Sequence, residues 1–362
     1  MEEKKKLKLW ARIKQWATKN RKAIFIVGGV FVVCAASAAT CFYLSYKPVK
    51  LTPSKVIKAE TPKPVTKYYS PLTGKLVTDE SATKQAVTAI MIENSPDARP
   101  QSGLKDSGVV FEAIAEGGIT RFLVLYQQEK PQLVGPVRSV RMYYVDWLAA
   151  FNASVAHIGG SAAALAEVRN GNYRDIDQFF NASTYWRATD RYAPHNVYTS
   201  FEKIDTLNKA KGYTTSTFTG FARTDGKASK SPTATTINVT ISSDLYNSSY
   251  IYDKTTNAYA RSLAGEPHND REAGQITPNV VIAMRVDEIT TMEDGYRQSI
   301  STIGNGKAVI FQNGIAINAN WSKSSKTDQI KFTDNTGKEI PLVRGQTWIS
   351  AVPNDGGDVT WQ

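Results

Sequence analysis

The distribution of apolar residues divides the chain into three parts. Residues 23–46 form a stretch of 24 residues without a charge. A helix of that length, rising about 1.5 Å per residue, spans the ~30 Å hydrocarbon core of a bilayer. Residues 47–68 contain four prolines, six lysines and few large apolar side chains, which predicts an extended stalk. From residue 69 onward, short apolar runs alternate with polar turns, as in a globular protein.

The apolar runs of residues 69–223 have both strand and helix spacing. The runs of strand length are VTAIMI (87–92), VVFEAIA (109–115), RFLVLYQ (121–127) and SVAHIG (154–159). Residues 139–151 have the spacing of a helix with one apolar stripe. Thr199 and Glu202 resemble a capping box that begins another helix, which Gly212 ends. Strands mixed with helices predict an α+β or α/β domain.

The C-terminal part of the chain is patterned almost entirely as strands. The best internal boundary is a linker rich in serine and threonine at residues 224–236. Residues 237–362 alternate short apolar runs with turn residues, and Asn305-Gly306 and Asn313-Gly314 are hairpin signals. These patterns predict a β-rich domain, either a sandwich or a small barrel. Because the linker has few apolar groups, we expect the domains on its two sides to fold independently.

The charges around residues 23–46 predict the orientation of this stretch. Residues 1–22 contain nine lysines and arginines, whereas the fifteen residues after Tyr46 contain four lysines. This bias favours a basic cytoplasmic N-terminus. We favour a retained signal anchor, which predicts a single-pass cell-membrane protein with its bulk outside the cytoplasm. Cleavage after Ala36-Ser37-Ala38 and lipid attachment at Cys41 stay open as alternatives.

The formal net charge of +11 does not indicate nucleic-acid binding, because it is concentrated near the N-terminus. Residues 1–22 carry +7 and residues 47–68 carry +5. The remainder is nearly neutral and lacks the basic surplus that a phosphate backbone requires. Both cysteines, Cys34 and Cys41, lie in the uncharged stretch. Disulfides, thiol nucleophiles and cysteine-based zinc sites are therefore excluded from the rest of the chain.

Long motifs spread over residues 70–354 carry a family resemblance. In the first domain they are MIENSPDARPQSGL (91–104), VVFEAIAEGGITRF (109–122), VGPVRSVR (134–141), HIGGS (157–161) and APHNVYTS (193–200). In the second they are YIYDKTTNAYARSLAGEPHND (250–270), KAVIFQNG (307–314) and GKEIPLVRGQTWISAVP (337–353). The chain resembles the YerB-like lipoproteins, the family called domain of unknown function 3048. The resemblance implies an exported, membrane-tethered protein of two domains and no established activity.

In layout the chain is also similar to the LytR-CpsA-Psr envelope phosphotransferases. They have a cytoplasmic N-terminus, one span and an external α/β domain that binds a polyprenyl pyrophosphate through arginines. The string VGPVRSVR (134–141) would take the place of their strand-then-arginine motif. This similarity implies a phosphotransferase-like enzyme acting on a polyprenyl-pyrophosphate-linked glycan. The first hypothesis is instead a cell-envelope binding or scaffolding protein, with an anionic envelope ligand or another envelope protein as partner.

Polar residues with possible chemistry lie at strand ends in the first domain. Arg138 and Arg141 follow the Gly135-Pro136 turn and would share one face of a helical start. His157 precedes a second turn into a helix, and helix N-termini present N–H groups to an anion. The candidate pocket for an anionic or glycan ligand consists of Glu93, Glu112, Glu116, Arg121, Arg138, Arg141 and His157. The alternative is a buried arginine–glutamate network that only stabilises the domain.

A second candidate group lies in the loop YWRATDRYAPHN (185–196). Arg187, Arg191 and His195 stand there beside aromatic residues, a composition that suits carbohydrate or anion recognition. A loop packed by its own aromatic residues is the competing interpretation. The three histidines are far apart in sequence, so we predict neither a metal site nor a cofactor. Nucleophile and nucleotide motifs lack their partner residues, so no catalytic residue is assigned and the question of an enzyme stays open.

Overall fold

The computed structural model describes residues 2–47, 66–291 and 297–362. The chain forms two compact units, Met1–Pro64 and Val65–Gln362. The stalk predicted at 47–68 falls almost entirely outside the described residues. Each unit is considered by itself below.

The N-terminal unit contains two helices, α1 (Glu2–Lys19) and α2 (Arg21–Ser45). Helix α2 is long and apolar enough to cross a membrane. None of its residues is buried within the protein, as expected when lipid rather than protein covers an apolar helix. The predicted N-terminal apolar helix is therefore confirmed.

Mixed secondary structure makes up the second unit. Its helices are α3 (Glu80–Thr83), α4 (Met142–Leu148), α5 (Ala162–Asn170) and α6 (Phe201–Ala210). Its strands up to residue 224 are β1 (Tyr68–Tyr69), β2 (Leu76–Val77), β3 (Thr88–Glu93), β4 (Val109–Glu116), β5 (Ile119–Tyr126), β6 (Ser154–Ala156), β7 (Arg174–Asp175), β8 (Tyr185–Arg187), β9 (Val197–Thr199) and β10 (Arg223–Thr224).

Beyond residue 224, the regular secondary structure elements of the described residues are strands. They are β11 (Thr236–Thr240), β12 (Ser248–Asp253), β13 (Ala258–Leu263), β14 (Glu266–Pro267), β15 (Asn269–Asp270), β16 (Gly274–Gln275), β17 (Val280–Val286), β18 (Glu288–Thr291), β19 (Arg297–Ile300), β20 (Gly304–Gln312), β21 (Ile315–Lys323), β22 (Lys331–Thr333), β23 (Leu342–Val343), β24 (Thr347–Pro353) and β25 (Asp358–Trp361). A mixed α/β region followed by a strand-rich region confirms the predicted fold class.

One sheet runs through both sequence segments. Its main path has the order β22-β21-β20-β17-β24-β4-β5-β3-β6-β7, and β18 and β19 complete its twelve strands. Strand β24, near the C-terminus, lies in the middle and pairs in parallel with β17 on one side and β4 on the other. The central strands are continuous apolar runs because both faces of the sheet are covered.

The two hydrophobic cores also draw on both segments. Helix α4 packs on one face, where Phe111 and Trp147 stack with ring centroids 5.2 Å apart, and Ile349 of β24 joins the same core. On the other face, Phe122 meets Trp348 edge-on at 5.2 Å. Our expectation of two independent domains therefore needs correction. Few apolar groups lie in the linker, but the segments are joined through the sheet itself.

Of the two Asn-Gly hairpin signals, the structure confirms the one where the backbone takes positive φ angles. Asn313 and Gly314 both have positive φ and connect β20 to β21, as predicted. The prediction of a turn at Asn305-Gly306 is wrong, because both residues lie within β20. A Cβ on Gly306 would lie 2.5 Å from the indole nitrogen of Trp321. The glycine therefore leaves room for a side chain on the neighbouring strand.

Helix α6 begins one residue later than its capping box indicates. Ser200, rather than Thr199, is the N-cap, and its hydroxyl accepts a hydrogen bond from the Lys203 N–H. Thr199 ends β9, where its hydroxyl donates to the Thr184 carbonyl at 2.9 Å. The helix ends near the predicted Gly212, which has a φ of +75°.

Candidate functional site

Two backbone segments bring Glu93, Arg138 and His195 together. Glu93 ends β3, and its N–H donates to the Pro136 carbonyl while the Arg138 N–H donates to the Met91 carbonyl. The Val137 N–H in turn donates to the Val197 carbonyl, in the strand that follows His195. The three side chains lie together because residues 136–138 form hydrogen bonds with the end of β3 on one side and with β9 on the other.

We call Glu93, Ser95, Arg138 and His195 the open group. Its centre is Oε1 of Glu93, which lies 2.9 Å from Nδ1 of His195, 3.0 Å from the Ser95 hydroxyl and 3.2 Å from Nε of Arg138. The Glu93 side chain is 3% exposed, whereas those of Arg138 and His195 are each 23% exposed. The acid is thus buried beneath two basic groups that reach the surface.

The Arg138 guanidinium donates no hydrogen bond within the described chain. Its Nε lies within ion-pair distance of Glu93 but makes no hydrogen bond, and Oε2 of Glu93 is buried without a partner among the described residues. Burial lowers the pKa of Arg138 despite the opposing effect of the Glu93 charge. Unused N–H groups on a partly buried arginine are suited to binding an oxyanion from solution.

The geometry of His195 and Ser95 is not that of a serine hydrolase. Nδ1 of His195 faces both Glu93, at 2.9 Å, and the Ser95 hydroxyl, at 3.1 Å. A catalytic triad needs the acid on one ring nitrogen and the serine on the other. With Nδ1 held by Glu93, Nε2 is left 3.9 Å from Asp97. The imidazole can accept or donate a proton there, or bind an anion when charged.

We call Glu116, Arg121 and Arg141 the closed group. The two arginines divide the Glu116 carboxylate, with Arg121 donating to Oε1 at 2.7 Å and Arg141 donating to Oε2 at 2.7 Å and 3.0 Å. Nη1 of Arg121 donates to the Ser139 carbonyl and Nη1 of Arg141 to the Val140 carbonyl, while Nε of Arg121 is buried without a partner among the described residues. Burial raises the pKa of Glu116, but the two arginine charges outweigh it and lower the value overall. This half of the predicted pocket is a buried ion-pair network.

Glu112 lies elsewhere, in a third cluster. Oε2 of Glu112 accepts hydrogen bonds from Arg261 at 2.7 Å and from the Trp348 indole at 2.8 Å. Arg261 also contacts Nδ1 of His268 at 2.9 Å, and Nε2 of His268 contacts Oε1 of Gln101 at 3.0 Å. Since Arg261 and Trp348 come from the C-terminal segment, Glu112 links the two segments and is not in the predicted pocket.

His157 also lies apart from the arginines. Its ring nitrogens contact the Gly159 carbonyl at 2.8 Å and Asp175 at 3.1 Å, and Asp177 is 3.9 Å away. His157, Asp175 and Asp177 could hold a cation, a grouping that sequence spacing does not reveal. However, Asp177 already accepts a 2.8 Å hydrogen bond from Arg169. We therefore interpret the cluster as an ion-pair network that closes the edge of the sheet.

The residues predicted in the loop 185–196 also divide into groups available to a ligand and groups that stabilise the fold. Arg191 donates to the backbone carbonyls of Asp97 and Pro100 and fixes the loop to its neighbour. Arg187 is exposed, bonds Asn196, and lies close enough to Arg138 for its charge to lower the pKa of that residue. Arg187 therefore extends the open group, to which His195 already belongs, while Arg191 positions the loop. Sequence reasoning missed Ser95, whose only signal was its place two residues after Glu93.

The comparisons with known proteins agree with the fold. Residues 72–214 match a family model described as the N-terminal domain of a protein of unknown function, DUF3048, and residues 237–349 match the model of its C-terminal domain. The unmatched residues between them include the boundary predicted at 224–236. The chain belongs to the DUF3048 family.

One relative within this class is a named bacterial protein. The "Putative lipoprotein YerB" of Bacillus subtilis (strain 168) is 34% identical over 307 residues, which is 82% of this chain and 90% of that protein. The crystal structure of the YerB protein from Bacillus subtilis matches with a TM-score of 0.72 and 32% identity, covering 81% of this chain and 99% of that one. The predicted YerB-like resemblance is confirmed, and the relative's name is consistent with membrane association.

Proposed function

We propose that this protein is a single-pass cell-membrane protein with a cytoplasmic N-terminus and its bulk outside the cytoplasm. The uncharged stretch of residues 23–46, which follows a segment carrying +7, supports this topology. A reporter active only in the cytoplasm, fused after Gln362, is expected to be silent. Strong reporter activity would contradict the orientation. The mass of the mature chain distinguishes a retained anchor from cleavage or from lipid attachment at Cys41.

The second element of the proposal is that the outer part binds an anionic envelope ligand at the open group. The observation that carries it is the Arg138 guanidinium, which makes no hydrogen bond in the described chain and lies above a buried acid. His195 and Arg187 add further groups suited to an anion. By contrast, Arg121 and Arg141 are committed to Glu116 and have less to offer a ligand.

Titration of the full chain in detergent with inorganic pyrophosphate tests the binding element. We expect saturable heat in calorimetry, loss of that heat in Arg138→Gln, and no loss in Lys130→Gln. Lys130 is a suitable control because it is a basic residue whose partner is Asp205, away from the open group. Equal binding by wild type and Arg138→Gln would contradict the assignment of the site.

Phosphotransfer to or from a polyprenyl-pyrophosphate-linked glycan is the second candidate function. It is favoured by the contact between Glu93 and Nδ1 of His195, which leaves Nε2, 3.9 Å from Asp97, as the ring nitrogen that could act as a general base. This candidate predicts turnover that is lost in His195→Gln, whereas ligand binding, which depends mainly on Arg138, is weakened but not lost. Binding without turnover in wild type favours the binding protein.

A further inference from the structure

A cavity of about 430 Å³ lies beside the β8–β9 hairpin. Its wall is formed by the β8–β9 hairpin on one side and by a loop of the C-terminal segment on the other. The residues that matter here are Trp186, Arg187, Asp190, Tyr198, Arg271 and Glu272. Trp186 and Tyr198 are directly paired across the hairpin. The cavity therefore combines a rigid aromatic strand pair with charged groups from two parts of the chain.

Arg187 connects the cavity to the open group. It lines the cavity, and its charge acts on Arg138. The backbone gives the reason, because Arg187 pairs with Val197, whose carbonyl accepts the N–H of Val137, the residue before Arg138. A ligand whose anionic group binds Arg138 can therefore extend the rest of its structure toward Trp186.

The cavity has an unused hydrogen-bonding group in its wall. Tyr198 is 1% exposed, and its hydroxyl has no hydrogen-bond partner in the described chain. Arg271 lies beside the phenol, and its charge opposes the rise that burial causes in the pKa of Tyr198. Buried hydroxyls are nearly always bonded, so the Tyr198 hydroxyl, with Arg271 beside it, is suited to bonding a polar ligand atom in the cavity.

The charges in the cavity are already balanced. Arg271 lies 2.6 Å from Asp190 and 3.7 Å from Glu272, so its charge is largely neutralised. Such a cavity suits an uncharged body with many hydroxyls more than a second anion. Trp186, which is 37% exposed, offers an apolar face of the kind on which a sugar ring stacks.

We propose that the ligand is a sugar phosphate, with the phosphate at the open group and the sugar ring stacked on Trp186 in the cavity that Tyr198 also lines. This inference rests on the proposed function, since the phosphate occupies the anion site there. It goes further by assigning a separate sugar subsite. The affinity for a sugar phosphate then exceeds that for phosphate alone, and the gain depends on the cavity residues.

Calorimetry on the full chain in detergent tests the sugar subsite with inorganic phosphate, glucose 1-phosphate and N-acetylglucosamine 1-phosphate. We expect at least one sugar phosphate to bind about tenfold more tightly than phosphate, a factor worth about 1.4 kcal/mol. Trp186→Ala removes this gain and leaves phosphate binding unchanged. Arg138→Gln weakens both. Tyr192→Ala, which removes a 91% exposed aromatic from the same loop, changes neither.

The outcomes separate the two levels of the proposal. Phosphate binding that needs Arg138, with no gain from either sugar, overturns the sugar subsite and leaves the anion site standing. Absence of binding by every probe overturns both. If Trp186→Ala does not fold, Tyr198→Phe decides the question, because it removes only the unpartnered hydroxyl. Undiminished sugar-phosphate affinity in that variant contradicts the role of the cavity.

Discussion

The open and closed groups each place arginine against a glutamate and differ in how completely the hydrogen bonds of the arginine are satisfied. Arg138 and Arg141 are three positions apart in sequence, and each lies against a glutamate. Arg141 is 5% exposed and donates from all three of its nitrogens, whereas the partly exposed Arg138 donates no hydrogen bond within the described chain. An arginine whose hydrogen bonds are complete stabilises the fold, and one with unused donors can bind a ligand.

The backbone explains why two nearby arginines diverge. Arg138 lies in an extended segment beside β3, while Arg141 is the N-cap residue of α4 and has extended φ and ψ angles. The expected helical start, which would have placed both arginines on one face, begins only at Met142. Arg138 therefore reaches Glu93 on β3, and Arg141 reaches Glu116 at the end of β4.

Separating the two sequence segments is expected to have the largest effect. A fragment of residues 66–223 lacks β24, which lies between β17 and β4 in the middle of the sheet, and lacks Arg261, which bonds the buried Glu112. Neither this fragment nor residues 224–362 should unfold cooperatively alone. Circular dichroism during thermal unfolding measures this, and mixing the fragments should restore a transition. A cooperative transition in either isolated fragment would show that the shared sheet is dispensable.

Glu116→Gln is expected to have the next largest effect. The change leaves two buried arginines without their shared carboxylate, and breaking a buried ion pair in this way costs about 3–5 kcal/mol. Urea unfolding measures the loss. Glu80→Gln is the matched control, because its pair with Lys84 is exposed and should leave the free energy of unfolding nearly unchanged. Similar stabilities of Glu116→Gln and Glu80→Gln would show that the closed group stabilises the fold no more than an exposed ion pair does.

Arg138→Gln should separate binding from stability. Glu93 keeps its hydrogen bonds to Ser95 and His195, and Arg138 is partly exposed, so the free energy of unfolding is expected to fall by less than it does in Glu116→Gln. Pyrophosphate binding should be lost. Urea unfolding and calorimetry on the same preparation check both parts. A large loss of stability would place Arg138 among the structural arginines.

The pH dependence of stability should show the smallest effect. Burial raises the pKa of Glu116, but Arg121 and Arg141 lower it below its ordinary value of 4.5. The depressed value means that the carboxylate stabilises the folded chain above pH 4.5, and that this contribution is lost as the pH falls through the folded-state pKa. The stability difference between wild type and Glu116→Gln should therefore shrink on acidification. A difference that grows at low pH would contradict the sign of the shift.

Much of the fold could be predicted from local sequence patterns. The uncharged stretch, the buried strands and the helix at Phe201–Ala210 all depend on contacts within a few residues or on burial of a continuous apolar run. Domain independence could not be predicted in this way, because it depends on which strands become neighbours. The linker composition is polar, yet β4 pairs with β24, which lies near the other end of the chain.

The candidate site likewise depends partly on the sequence and partly on the tertiary structure. The sequence by itself determined the residue types, their positions at strand ends and the charge separation around α2. Only the tertiary structure decided that Glu93 meets His195, that Glu116 takes two arginines and that Glu112 turns to Arg261. The physical reason is that an ion pair depends on distance and burial in three dimensions, and spacing along the chain fixes neither when the partners lie on different strands.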